Sequence, residues 1–247
     1  AITGKVDPAR FLNRKAGKNV LLSLYDPGKG TRWAEVVKPI AAGEEEALLY
    51  RRWTERNRHA VDSLSNGRIG YVHVQGMNNE SYKTVYEEVL GRLHDKDALV
   101  VDTRFNGGGW LHDDLATFLA GKVYMHLLPR GQELGTEPQF KWSRPSVVLM
   151  NESNYSDAHM FPVTYRALGV GKLVGMPVPG TGTAVWWERL QNGVIFGIPQ
   201  VGMVDNNGKY LENQELEPDV RQPNEPCLYS TGTDQQLGAA VKVLLGE

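Results

Sequence analysis

Cysteine is almost missing from these 247 residues: Cys227 stands alone, which excludes an internal disulfide and any zinc site built on several cysteines. No apolar run approaches the roughly 20 residues that a membrane-spanning helix needs. Neither sign of charge dominates, with 27 Lys and Arg against 29 Asp and Glu, and no basic run is present. Composition therefore points to neither nucleic acid nor a membrane as a partner. No signal peptide is visible, and there is no internal repeat or low-complexity tract. The chain opens on Ala1 and not on Met, as expected of a processed protein or a piece of a longer one.

What is present alternates between strand and helix patterns. Hydrophobic residues make up 41%, enough for one large domain, or one domain plus a small appendage. Residues 1–40 predict one short helix (7–13) and two strands (20–25 and 33–37) around the turn Asp26-Pro27-Gly28-Lys29-Gly30. Two strands and a helix cannot enclose a core alone. Helical patterns follow over 44–64 and 82–93, with buried strands at 68–74, 97–103 and 145–150. Further helices are predicted over 111–119 and 157–168, the second with a kink at Pro162. A strand begins at Leu173, residues 183–204 alternate as β structure about a hairpin at Gln191-Asn192-Gly193, and Thr233 reads as the N-cap of a terminal helix. This order predicts an α/β domain with a mostly parallel sheet.

Two strand ends carry candidate chemistry. After 97–103 comes Phe105-Asn106-Gly107-Gly108-Gly109, whose glycines can present bare N–H groups to a developing oxyanion, or simply make a tight turn. After 145–150 comes Asn151-Glu152-Ser153-Asn154-Tyr155-Ser156-Asp157. Ser156 enters a helix there, either as an N-cap or as an exposed nucleophile with the Asp157 N–H beside it. In a parallel α/β sheet both loops lie at the carboxyl ends of strands, where ligands bind.

A nucleophilic serine needs a base, and none of the six histidines is convincing. His73 reads as packed in a strand, His59 and His94 as exposed helix residues, and His126 lies in an ambiguous segment. His112 follows the glycine loop, and His159 lies one turn beyond Ser156, its ring pointing along the helix. Trp186 and Trp187 read as packed apolar residues, with lining of a groove as the other use.

Asp102-Thr103-Arg104-Phe105-Asn106-Gly107-Gly108-Gly109, then Asn151 to Ser156, then Glu212-Asn213-Gln214-Glu215-Leu216-Glu217-Pro218-Asp219-Val220 together resemble the tail-specific and tricorn serine peptidases. Their pattern runs Asp-x-Arg-x-Asn-x-Gly-Gly, Asn-Glu-x-x-x-Ser, Glu-Asn-x-Gly-Val-x-Pro-Asp; Glu215 stands where glycine is usual. Thr181 in Pro179-Gly180-Thr181-Gly182 replaces the lysine of the tail-specific branch, so the resemblance favours the tricorn branch, and Thr181→Ala is expected to be mild.

The resemblance implies Ser156 as nucleophile, Glu212 as a supporting carboxylate, and an oxyanion hole from the N–H of Asp157 and of Gly108 or Gly109. It implies a histidine base supplied from an upstream segment of the same protein, and no metal or organic cofactor. The fold implied is a crotonase-like β-β-α superhelix over residues 41–247, with residues 1–40 as the C-terminal part of a PDZ-like β lobe beginning at Ile2-Thr3-Gly4. Substrates would be peptides or unfolded polypeptides, and a homo-oligomer is expected. An exported or periplasmic setting is slightly favoured over a cytoplasmic one. The alternative is a catalytically silent peptide-binding module of the same fold. An acyl-CoA enzyme ranks lower, because nothing resembles a nucleotide-phosphate site.

Overall fold

The computed structural model describes residues 2 and 4–247; Thr3 of the Ile2-Thr3-Gly4 segment lies outside the described residues. In chain order the elements are α1 (Ala9–Leu12), β1 (Val20–Asp26), β2 (Thr31–Val37), α2 (Ala42–Leu64), β3 (Ile69–His73), α3 (Asn79–Leu90), β4 (Ala98–Asp102), α4 (His112–Leu119) and β5 (Met125–Leu127). A 3-10 turn (Pro129–Gly131) leads to β6 (Gly135–Glu137). Then come β7 (Ser146–Met150), α5 (Asp157–Ala167), β8 (Lys172–Gly175), β9 (Thr183–Arg189), β10 (Ile195–Gly202), β11 (Val220–Arg221), α6 (Pro226–Ser230) and α7 (Gln235–Leu245). Among the described residues no helix is long and apolar enough to cross a membrane.

The chain divides into two compact units, the division falling inside α2 after Glu55. In the first, β1 and β2 form an antiparallel hairpin pairing Val20 with Val37 and Asp26 with Thr31.

The second unit is built on a five-stranded parallel sheet in the order β11-β8-β7-β4-β3. Successive side chains of a strand point to opposite faces, and here both faces are covered. Val72, Leu99, Val101, Val148, Met150 and Leu173 pack with residues of α3, α4 and α5. Ile69, Tyr71, Val100, Val147, Leu149 and Val174 pack with Val61 of α2 and Leu237, Ala240 and Val241 of α7. That two-sided burial explains the unbroken apolar runs of the sequence. The parallel register sets His73 beside Asp102 and Asp102 beside Leu149, so the loops leaving β3, β4 and β7 share one edge.

Three details differ from the sequence reading. The N-cap of α7 is Asp234, not Thr233: its carboxylate accepts the Leu237 N–H at 3.0 Å. A carboxylate caps as well as a hydroxyl, and Asp234 has a second bond, to Arg104, that holds it in place. Trp186 and Trp187 are not buried but 58% and 71% exposed, because β9 and β10 form a two-stranded ribbon outside the main sheet. The three-residue strands β5 and β6 form a small hairpin in the segment that sequence left ambiguous.

Candidate active site

Asp102 ends β4 with its carboxylate fully buried. Arg104, equally buried, donates Nε to Asp102 Oδ1 at 2.9 Å and Nη2 to Oδ2 at 2.7 Å, and Nη1 reaches Asp234 Oδ2 at 2.8 Å. Tyr71 adds its hydroxyl to Asp102 at 2.9 Å. Burial alone would raise the Asp102 carboxyl, but the Arg104 guanidinium holds it below the usual carboxylate range. The Asp-x-Arg of the motif is therefore a buried ion pair that fixes the start of the glycine loop.

Asparagines then stitch that loop to the next. Asn106 donates Nδ2 to the Val74 carbonyl, accepts the Gly108 N–H at 2.8 Å and receives the Tyr155 N–H on its carbonyl at 3.0 Å. Asn151 accepts the N–H of Phe105 at 3.1 Å, and Asn154 donates to Thr103 Oγ1 at 2.9 Å. Asn154 also donates to the Ala158 carbonyl at 3.2 Å. That carbonyl would otherwise have lost its partner, since Pro162 has no N–H to give it. The helix α5 thus runs through Pro162.

Ser156 sits at the start of α5 with φ 54° and ψ −119°, a sparsely populated conformation for a side-chain-bearing residue. It is partly exposed, and its hydroxyl makes no capping hydrogen bond, so the simple N-cap role is not what the structure holds. A strained serine on a strand-to-helix turn matches the geometry of a nucleophile elbow. The Ser156 N–H donates to Thr181 Oγ1 at 2.9 Å, a role for Thr181 that spacing did not reveal.

Gly108 lies against this turn. A Cβ there would stand 2.6 Å from the Tyr155 carbonyl, 2.7 Å from Ser156 Cβ and 3.1 Å from the Asp157 nitrogen, so no other residue fits. Its own N–H is committed to Asn106. Among the described residues the N–H groups of Gly109 and Asp157 have no protein acceptor. The Asp157 carboxylate is buried and accepts from the amides of Leu111 (2.5 Å) and His112 (3.0 Å) and from His112 Nδ1 (2.5 Å). That hydrogen bond raises the His112 pKa, against the opposing effect of burial.

Glu212 is exposed on a turn, and its carboxylate has no hydrogen-bond partner among the described residues. The turn is tied to the site through its neighbour: Asn213 N–H donates to the Gly180 carbonyl at 2.8 Å, next to Thr181. A Cβ on Gly180 would lie 2.2 Å from the Gln214 nitrogen, which explains glycine at that contact. The remaining histidines lie apart from the serine or are buried. His73 Nε2 meets the Arg104 carbonyl and His126 meets Glu133, while His159 is buried with Nδ1 unpartnered and its pKa lowered to about 4 by burial. Among the described residues no three His, Cys, Asp or Glu side chains are gathered as metal ligands.

The stretch from β3 through β11 that builds this geometry, residues 68–222, matches peptidase family S41. The chain belongs to peptidase family S41. It is 31% identical over 247 residues to tricorn protease homolog 1 of Streptomyces coelicolor, covering 99% of this chain and 23% of that protein. It is 30% identical over 244 residues to the tricorn protease of Thermoplasma acidophilum, covering 96% of this chain and 22% of that protein. The crystal structure of the tricorn protease shares the α/β fold with its parallel sheet at a TM-score of 0.81 and 27% identity, over 96% of this chain and 23% of that one. The chain thus spans less than a quarter of each of these S41 relatives.

Proposed function

We propose that this chain carries the nucleophile half of a serine peptidase site, with Ser156 as the attacking residue. The observation that carries the reading is the strained Ser156 turn, with an uncapped hydroxyl, packed against Gly108 and followed by the unaccepted Asp157 N–H. Ser156 Oγ attacks the carbonyl carbon of a peptide while a base takes its proton. The oxyanion is held by the N–H groups of Asp157 and Gly109; Gly108 keeps the two loops in contact. The tetrahedral adduct collapses, the C–N bond breaks, and the base returns its proton to the departing amine. Water then attacks the acyl-Ser156 ester, its proton passing to the base; the ester C–O bond breaks, the base returns the proton to Ser156 Oγ, and the acid leaves.

The base is a histidine from an upstream segment of the same protein, and Glu212 orients it. Support for this comes from the motif order and from the absence, among the described residues, of any hydrogen bond to Ser156 Oγ. Residues 1–40 are the end of a PDZ-like lobe, residues 41–247 have the crotonase-like superhelical fold, substrates are peptides or unfolded chains, and copies of the protein associate.

The test is labelling by a fluorophosphonate, located by peptide mass spectrometry, on this chain and on a protein extended upstream. Ser156 is expected to be labelled in the extended protein and Ser156→Ala to abolish both labelling and peptide hydrolysis. Absence of labelling in both forms would favour the silent peptide-binding module.

A further inference from the structure

The Asp157 carboxylate is fully buried and belongs to the residue next to Ser156. Every donor it receives comes from the start of α4: two amides and the Nδ1 of His112. A bare buried carboxylate there would oppose the negative charge that grows on an adduct at Ser156, because such surroundings screen charge weakly. The two amides bring only partial positive charge. The imidazole, its side chain 18% exposed, is the contacting group able to bring a full one.

We propose that His112 is a positioning residue for the Ser156 site: as an imidazolium on Asp157 it fixes the Ser156–Asp157 step against α4 and neutralises the carboxylate beside the forming oxyanion. The inference rests on Ser156 being the nucleophile and deepens that reading. The bond from Asp157 raises the ring's pKa, burial opposes it, and the charges of Asp157, Asp113 and Asp114 add to the rise. Trp110 meets the ring edge-on with centroids 5.5 Å apart, and Asp205, from the segment after β10, lines the same cavity as His112. With a raised folded pKa, the compensation is complete below the ordinary histidine value and is lost as pH rises through the folded value. A neutral ring still donates Nδ1–H to Asp157 but brings no charge, so acylation of Ser156 slows.

The test uses the full-length natural protein with wild-type His112, His112→Asn and His112→Leu. Peptide hydrolysis and fluorophosphonate acylation are followed from about pH 6 to about pH 10. Histidine C2–H exchange, read by mass spectrometry, gives the His112 pKa, and backbone amide exchange reports the order of the segment holding Asp157. The wild type is expected to show a raised His112 pKa and a kcat that falls through it with KM unchanged. Asn keeps a donor where Nδ1 stands, so His112→Asn holds the segment protected and runs at the wild type's alkaline plateau at every pH. His112→Leu loosens the segment and lowers kcat at least about tenfold. An alkaline fall that persists in His112→Asn, an unchanged kcat in His112→Leu, or a change confined to KM overturns the proposal. If the wild type is neither acylated nor active, the peptidase reading fails by itself. The exchange data then decide: a raised pKa with loosening in His112→Leu upholds the clamp, and an ordinary pKa or no loosening refutes it.

Discussion

Ser156 and Asp157 are neighbours with opposite environments: a partly open hydroxyl with no capping bond, then a buried carboxylate with three donors. The contrast holds the backbone in a conformation that costs about 1–3 kcal/mol, because a buried carboxylate cannot move without losing its partners. The same scale separates two histidines that looked alike in sequence. His112 has its pKa raised by Asp157, and His159 has its own lowered to about 4 by burial. For His159 the sign is clear: the unfolded chain takes up the proton first, so stability is whole above the ordinary value near 6.5 and is lost as pH falls toward about 4. Urea unfolding across that interval should show falling stability in the wild type and a flatter profile in His159→Leu. An unchanged slope in the variant would assign the loss to other groups.

Among the elements, the segment between β8 and β9 gains most in meaning from the structure. Thr181 stands where the tail-specific pattern has lysine, and its Oγ1 accepts the Ser156 N–H at 2.9 Å. Thr181→Val keeps the shape and removes the acceptor, leaving that N–H unpaired; the expected cost is about 1–3 kcal/mol. Fluorophosphonate acylation of Ser156 should slow as the turn relaxes, and equal rates in Thr181→Val and wild type would deny Thr181 this part. Legibility varied with element length. The five-residue runs of β3, β4 and β7 were plain because both faces of the sheet are covered. The three-residue strands β5 and β6 are too short to show alternation. A proline inside α5 predicts a kink; the carbonyl it leaves is taken by Asn154, a contact that periodicity cannot express.

For the molecule as a whole, Arg104 is the residue that joins the glycine loop to the terminal helix, by bonds to Asp102 two residues away and Asp234 at a separation of 130. Removing one member of a buried ion network strands the others without compensation. Arg104→Met should therefore cost about 3–5 kcal/mol in urea unfolding. A loss under about 1 kcal/mol would mean that water or rearrangement satisfies both carboxylates. In the ribbon of β9 and β10, Trp186 and Trp187 are mostly exposed and not buried as packed core residues.

The sequence by itself determined the parallel α/β core and the pair of loops that meet at its carboxyl edge. Apolar runs, glycines and the Ser156 motif are local signals, and local signals survive in a one-dimensional record. It also carried the S41 membership, because three spaced motifs lie within residues 102–220. Only the tertiary structure decided which polar atoms hold the site. The Ser156–Thr181 bond spans 25 residues, His112–Asp157 spans 45 and Arg104–Asp234 spans 130, and single polar residues at such separations follow no period. They meet because burying both faces of the sheet brings the loops together, and a polar group carried inward without a partner costs free energy.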